Sequence, residues 1–404
     1  MAKTVVIVGA LDTKGEDFRY VKELIEAEGL ATLVVDFGVM GPPAFAPDVS
    51  REEIASAGGG DLTRLASGNH KDEAMQAMAN GLAAVVARLH AEGLLDGIIG
   101  MGGSGGTSIA TTAMRVLPVG VPKLMVSTMG GGDVSAFAGT KDITFMPSIV
   151  DVAGFNRLSR RIYANAAGAI AGMVQMEAPA ATAAEKPLVV ASMFGNTTPA
   201  VNHAREILEA RGYEVLVFHA TGTGGRTLES LVADGFAAAS LDITTTELAD
   251  EVCGGILSAG PERCLAASRA GIPAVLVPGC VDMANFASLE SVPERYRLRT
   301  FYQWNPNTTL MRTNAEENRR IGGMIAAAAN AATAPVAVLA PLGGVSMLDA
   351  KGGEFWNPEA DAACFETIRS GLRPGIPFVE VDANINDEAF SGRVAETLLG
   401  MLEG

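Results

Sequence analysis

The sequence predicts an α/β chain of two Rossmann-like domains, each with a mainly parallel sheet flanked by helices, arising from an internal duplication. Three observations predict it. Short apolar runs alternate with amphipathic segments, the pattern of strand–helix–strand units joined by right-handed crossovers. The opening run Lys3-Thr4-Val5-Val6-Ile7-Val8 returns as Lys186-Pro187-Leu188-Val189-Val190-Ala191, an offset of 183 residues that also places Glu26-Ala27-Glu28-Gly29 on Glu209-Ala210-Arg211-Gly212. Glycine clusters close several strands, at the carboxyl edge where ligands gather in such sheets.

The elements follow in order. After the first strand, a helix carries Phe18, Val21, Leu24 and Ile25 on one face, and the second strand ends at Asp36. The run Gly97-Ile98-Ile99 enters a glycine cluster, from which a helix over residues 107–117 is expected to leave. Gly120-Val121-Pro122-Lys123-Leu124-Met125-Val126 starts another strand and is echoed by Gly271-Ile272-Pro273-Ala274-Val275-Leu276-Val277. An apolar helix over 164–176 is broken by glycines and falls short of a membrane span. The small-residue stretch 177–187, with two prolines, reads as a linker between a nucleotide-binding domain at 1–180 and a second domain at 187–404. There Val201, Ala204, Ile207 and Leu208 repeat the first helix face, residues 336–340 form a strong strand, and a helix begins near Ala315.

The 404 residues can bury two cores, and a composition 48% hydrophobic but only 5% aromatic suits parallel sheets covered by helices. A formal charge of −16, with no basic cluster, excludes a nucleic-acid surface. No export signal precedes the first strand, so the four scattered cysteines are expected to be reduced, in the cytoplasm. Four scattered histidines give no metal site. Alanine-rich helices suggest a homodimer.

The most informative stretch is Gly102-Gly103-Ser104-Gly105-Gly106-Thr107. Glycines let a ligand approach the backbone, and the first amides of a helix are unpartnered donors at the positive end of its dipole. Phosphate is the usual occupant. Close packing of helix on sheet is the simpler alternative. Other loops are expected at the same edge. Asp12, Thr13 and Lys14 offer magnesium, hydroxyl and point-charge contacts, or else a helix cap. Asp36 stands where an acid accepts ribose hydroxyls in dinucleotide folds, and Ser127, Thr128, Gly130 and Gly131 form a further polar turn. Neither a dinucleotide fingerprint nor P-loop spacing is present.

In the second domain, Gly224, Gly225 and Arg226 form a glycine turn whose guanidinium suits a carboxylate or phosphate. Asp282 ends another loop. Asn305 and Arg312 lie in a polar stretch before a helix that Thr313 or Asn314 would cap with Glu317. Ser346 and Asp349 follow the 336–340 strand, with Phe355 and Trp356 as pocket wall or core filler. No histidine accompanies Ser346, which argues against a Ser-His-Asp hydrolase, and Cys280 shows no basic neighbour.

Gly9-Ala10-Leu11-Asp12-Thr13-Lys14-Gly15, the 100–107 glycine string and Pro341-Leu342-Gly343-Gly344-Val345-Ser346-Met347-Leu348-Asp349 resemble motifs of the tomato mosaic virus resistance protein-like ATP-binding family. The resemblance spans the chain and is that of a bacterial relative, so the plant antiviral role is not carried over. It implies two Rossmann-like subdomains with ATP in the first, the phosphates on residues 102–107 beside Asp12, Thr13 and Lys14; a Mg2+ ion on Asp12 rests on the residues alone. One departure is Trp304, before Asn305-Pro306, where relatives usually carry His. Three readings follow: an ATP-binding protein with a small anionic ligand in the second domain or the interdomain cleft; an enzyme on a small carboxylate or phosphate metabolite; or an oligomeric interaction protein, with the 164–176 helix as an assembly face.

Overall fold

The computed structural model describes residues 2–67, 71–152, 154–176 and 185–403. The chain divides into two compact units, Met1–Ala180 and Ala181–Gly404. Of the expected linker, positions 177–184 lie outside the described residues.

Unit 1 contains β1 (Thr4–Gly9), α1 (Leu11–Ala27), β2 (Ala31–Asp36), α2 (Arg51–Ala57), α3 (Leu62–Leu65), α4 (Lys71–Ala91), β3 (Gly97–Gly102), α5 (Ser104–Met114), β4 (Lys123–Ser127), α6 (Ser135–Ala138), β5 (Thr144–Pro147) and α7 (Arg157–Gln175). Its five strands are parallel, in the order β2-β1-β3-β4-β5. Side chains alternate across the pleat, which builds three layers. Val6, Val8 and Ile98 pack with α4 and α5, whereas Val5, Ile7 and Ile99 pack with α1 and α7. The proposed assembly helix is α7, and its apolar face is not available. Tyr163, Ala166, Ile170 and Val174 are buried in the second of these layers.

Unit 2 contains β6 (Leu188–Met193), α8 (Thr198–Ala210), β7 (Glu214–His219), α9 (Thr223–Ala233), β8 (Ala239–Thr244), α10 (Thr246–Cys253), α11 (Ala266–Ala270), β9 (Ala274–Gly279), β10 (Met283–Phe286), β11 (Phe301–Asn305), β12 (Thr308–Arg312), α12 (Ala315–Asn330), β13 (Val336–Pro341), α13 (Pro358–Gly371), β14 (Phe378–Val381) and α14 (Glu388–Leu402). Its parallel sheet runs β14-β13-β9-β8-β6-β7. Counted from each unit's own first strand, the order 2-1-3-4-5 occurs twice, with β14 added in unit 2. The repeat holds at residue level: α1 and α8 end at Ala27 and Ala210, and β2 and β7 occupy Ala31–Asp36 and Glu214–His219.

An antiparallel sheet, β10-β12-β11, is inserted in unit 2. The register between β11 and β12 shifts between Gln303 and Asn305, which makes Trp304 the bulged residue. Asn314 and Glu317 cap α12 reciprocally, with Glu317 N donating to Asn314 Oδ1 and Asn314 N to Glu317 Oε2. No described helix is long and apolar enough to cross a membrane.

Candidate functional site

In a sheet of order 2-1-3-4-5, the chain leaves β1 and β3 toward opposite faces, which opens a crevice between their carboxyl ends. The helices α1 and α5 start at that crevice. Both start without a capping side chain, from Ala10 and Gly103, whereas Ser50, Asp61 and Asn156 cap α2, α3 and α7.

The helix expected at 107–117 begins three residues earlier, at Ser104, so Gly105 and Gly106 form its first turn. Among the described residues no acceptor meets the amides of Ser104, Gly105 or Gly106, whereas Thr107 N donates to Gly103 O at 2.8 Å. The glycines fall into two classes. A Cβ on Gly102 would lie 3.1 Å from Gly106 Cα, a tight fit that close packing of α5 on β3 explains. A Cβ on Gly103, Gly105 or Gly106 would meet nothing nearer than Thr128 Oγ1 at 3.8 Å, Met75 Cε at 3.5 Å and Met101 O at 3.7 Å. None of these three has a positive φ. Neither packing nor backbone conformation requires glycine there, although two helical glycines cost about 1 kcal/mol each relative to alanine.

The surrounding polar residues divide into inward and outward groups. Thr107 and Ser127 are fully buried and their hydroxyls pair at 2.7 Å, so neither faces a ligand, contrary to expectation. Thr128 is exposed beside Gly103, and its amide donates to Gly102 O, coupling the two glycine turns. Gly130 packs against Pro147, while Gly131 stands open. Asp36 is also turned inward. Its Oδ1 accepts from Leu11 N at 3.0 Å and Gly38 N at 2.8 Å, tying the β1 and β2 ends together, and burial raises its pKa despite these bonds. A ribose role is therefore not what its geometry provides. Asp12 does not cap α1; its Oδ2 accepts from Met40 N and Gly41 N. Lys14 Nζ donates to Val152 O, which occupies the expected point charge, and Thr13 is exposed on the first turn of α1.

Beside α5 lies a cavity of about 410 Å³ lined by Phe37, Met40, Leu65, Met75, Met78 and Ile109, with Lys71 also in the wall. Met75 connects it to the cradle, being the side chain nearest Gly105. Lys71 and Met75 are four residues apart and share a face of α4. Lys71 is exposed at the first position of α4, where the helix dipole disfavours a cation and Asp72 and Glu73 follow it in the first turn. Sequence reasoning missed Lys71 and the cavity because nothing local shows that α4 packs on α5.

In unit 2 the glycine turn between β7 and α9 is filled from within. Glu247, the second residue of α10 as Gly105 is of α5, is fully buried. Its Oε1 accepts from Gly222 N at 2.7 Å and Gly225 N at 3.0 Å, and its Oε2 receives Arg263 Nε at 2.6 Å. Gly224 and Gly225 are glycines for packing, since their Cβ atoms would fall 1.8 Å from His219 O and 2.1 Å from Glu247 Oε2. The anion expected from outside at this turn is the protein's own carboxylate. Arg226 is exposed and bonds Ser258 O and Thr223 Oγ1.

The remaining unit 2 candidates are not a surface site either. Arg312 is buried and gives Nε to Phe355 O at 2.7 Å and Nη2 to Asp361 at 2.7 Å and Asp349 at 3.4 Å. Ser346 donates to Asp282 Oδ2 at 2.8 Å, and Asp349 Oδ2 accepts from Val345 N. Burial, with Asp349 nearby, pushes Asp282 up to about 7, and burial pushes Asp361 to about 8. One guanidinium is shared among three enclosed carboxyl groups, and at Asp282 and Asp361 burial outweighs its charge. Asn305 Oδ1 accepts from Asn307 N in the hairpin turn, and Trp304 rests its ring edge near Gly195. Cys280 is fully buried, which raises its thiol pKa, and Phe355 fills core. Among the described residues no cluster of three or more His, Cys, Asp or Glu is arranged to hold a metal.

Residues 3–179 and 186–402 match the N-terminal and C-terminal domains of the family described as Uncharacterised protein family (UPF0261). The chain belongs to the UPF0261 family. A UPF0261 protein of Clostridium tetani is 48% identical over 404 residues, covering all of both chains, and one of Rhizobium meliloti is 45% identical over 368 residues, 91% of each. The ToMV resistance protein Tm-1(GCR237) of Solanum lycopersicum is 34% identical over 423 residues, spanning 98% of this chain and 55% of the tomato protein. The tomato resistance protein resemblance read from the three motifs is thus a true family relationship.

Proposed function

We propose that unit 1 of this UPF0261 chain is a nucleotide-binding unit that holds ATP at the β1/β3 crevice. The phosphates lie on the amides of Ser104, Gly105 and Gly106, with Thr128 at the rim and Lys71 as counter-charge. The nonpolar cavity receives the flat face of the base. One observation carries this reading: Gly103, Gly105 and Gly106 are glycines that the fold itself does not require, at an uncapped start of an eleven-residue helix. Leaving out the methyls keeps a concave approach to three free donors. Magnesium would arrive with the nucleotide, since among the described residues no cluster of three or more His, Cys, Asp or Glu is built for it. Four free, buried cysteines suit a reducing cytoplasm.

The test is a thermal melt with and without ATP. Wild type should be stabilised, and Lys71→Ala should lose part of the shift, more so at low salt. Lys14→Ala should keep it, because Lys14 is held by Val152 O. Absence of any ATP shift at saturating nucleotide would end the reading. An anionic metabolite in unit 2 is not carried forward, since Glu247 occupies its glycine turn and Arg312 is enclosed.

A further inference from the structure

One face of unit 2 bears both halves of a complementary contact. The 3-10 turns Leu289–Ser291 and Glu294–Tyr296 and the start of β11 enclose a pocket of about 370 Å³, walled by Leu289, Val292 and Phe301, with Glu290 and Arg297 at its mouth. Next to Arg297, Leu298 is 101% exposed, and Leu289 is 49% exposed. The segment is held firmly on both sides of Leu298. Tyr296 donates its hydroxyl to Cys253 O at 3.1 Å, and Arg299 binds Glu317 through Nη1 at 3.0 Å and Nη2 at 2.7 Å. A leucine fixed outward between two anchors is a preorganised knob. Glu290 and Arg297 form no ion pair with each other or with another described residue, although both line the one pocket.

We infer that this face binds a second copy of the chain about a two-fold axis, each Leu298 entering the other copy's pocket and each Arg297 facing the other copy's Glu290. A protrusion and its receptor on one surface, with unpaired charges of opposite sign beside them, is the signature of an isologous contact. A different partner would need to meet only one half. The contact is made by side chains and not by strand addition, because the bulge at Trp304 distorts the free edge of β11. The surface is distinct from the unit 1 crevice, so this inference stands or falls apart from nucleotide binding.

The experiment is light scattering coupled to size exclusion on the full chain at micromolar concentration. Wild type should give twice the 41.6 kDa chain mass, and Leu298→Asp should give the single mass with an unchanged circular dichroism spectrum. Arg297→Glu and Glu290→Arg should each shift the mass toward monomer, and the double exchange should restore the dimer. A monomeric wild type overturns the inference. So does a dimer that survives Leu298→Asp, or a double exchange that fails to recover what the single changes lose.

Discussion

Replacing Gly105 and Gly106 together with alanine should move stability and ligand affinity in opposite directions. The new methyls meet no protein atom closer than 3.5 Å and 3.7 Å. Alanine is favoured over glycine in a helix by about 1 kcal/mol per residue, so the pair gains up to ~2 kcal/mol, less where the first turn frays. For a domain of this size each kcal/mol raises Tm by about 2–4 °C. Helical Cβ atoms tilt toward the N-terminus, which puts both methyls against the approach to the free amides. If Kd rises about tenfold, nucleotide at a hundred times the original Kd stabilises the variant by ~1.4 kcal/mol instead of ~2.7. Differential scanning fluorimetry with and without ATP reads both effects on one sample. A lowered Tm without nucleotide would show that the glycines serve packing, and an undiminished ATP shift would show that the phosphates lie elsewhere. Gly225→Ala is the contrast: its methyl would fall 2.1 Å from Glu247 Oε2 and should destabilise by about 1–3 kcal/mol.

Other outcomes follow from the same geometry. Glu247→Ala leaves Arg263 short of a partner and two glycine amides bare, and should cost about 3–5 kcal/mol in a urea titration. Asp36→Asn should weaken the fold, through the Leu11 and Gly38 amides, yet leave ATP affinity unchanged in calorimetry; a lost affinity would restore the ribose role. The native state keeps protons on Asp282, Asp361 and Asp250, at about 7, about 8 and about 7, that the unfolded chain releases near pH 4. Between these limits the native state binds more protons, so their stabilisation is full below about pH 4 and is lost as pH rises through 7 to 8. Urea midpoints should therefore fall from about pH 5 to about pH 8, and Asp282→Asn should flatten the slope.

The duplication was legible because its signal is local: matched apolar runs, a helix ending in glycine and a strand, each fixed by neighbours in sequence. The start of α12 at Ala315 was legible for the same reason, through the Asn314 cap. The start of α5 was misplaced because glycine runs read as loop, while here β3 and the packing of Ile109 and Ala113 pull Gly105 and Gly106 into the helix. The inserted β10-β12-β11 sheet went unseen, since Thr308–Arg312 read as a polar lead into a helix. Side-chain direction was the least legible property. Asp12, Asp36, Asp282, Arg312 and Asp349 all lie at or beside strand ends, the right place for a ligand, but each is engaged by the protein's own groups instead. Which of two neighbours a carboxylate faces depends on partners 4 to 37 residues away, such as Arg312 for Asp349 and Val345 for the same group.

The two units together supply an argument that neither supplies alone. They share strand order and a helix starting just beyond the third strand of each, Ser104 in unit 1 and Thr246 in unit 2, so the second helical positions can be compared by topology although the 183-residue offset ends before them. In unit 2 that position is Glu247, a carboxylate that reaches the amides of Gly222 and Gly225 and removes any need for an external anion. In unit 1 it is Gly105, which contributes no atom beyond the backbone and leaves three donors facing outward. The donors that Glu247 satisfies are those of α9, beyond the second strand of unit 2, whereas the free donors of unit 1 are those of α5 itself. Unit 2 thus shows a glycine-started helix of this fold closing its first amides on a carboxylate, and in unit 1 the α5 start has no such internal acid, which is where a phosphate finds donors to meet.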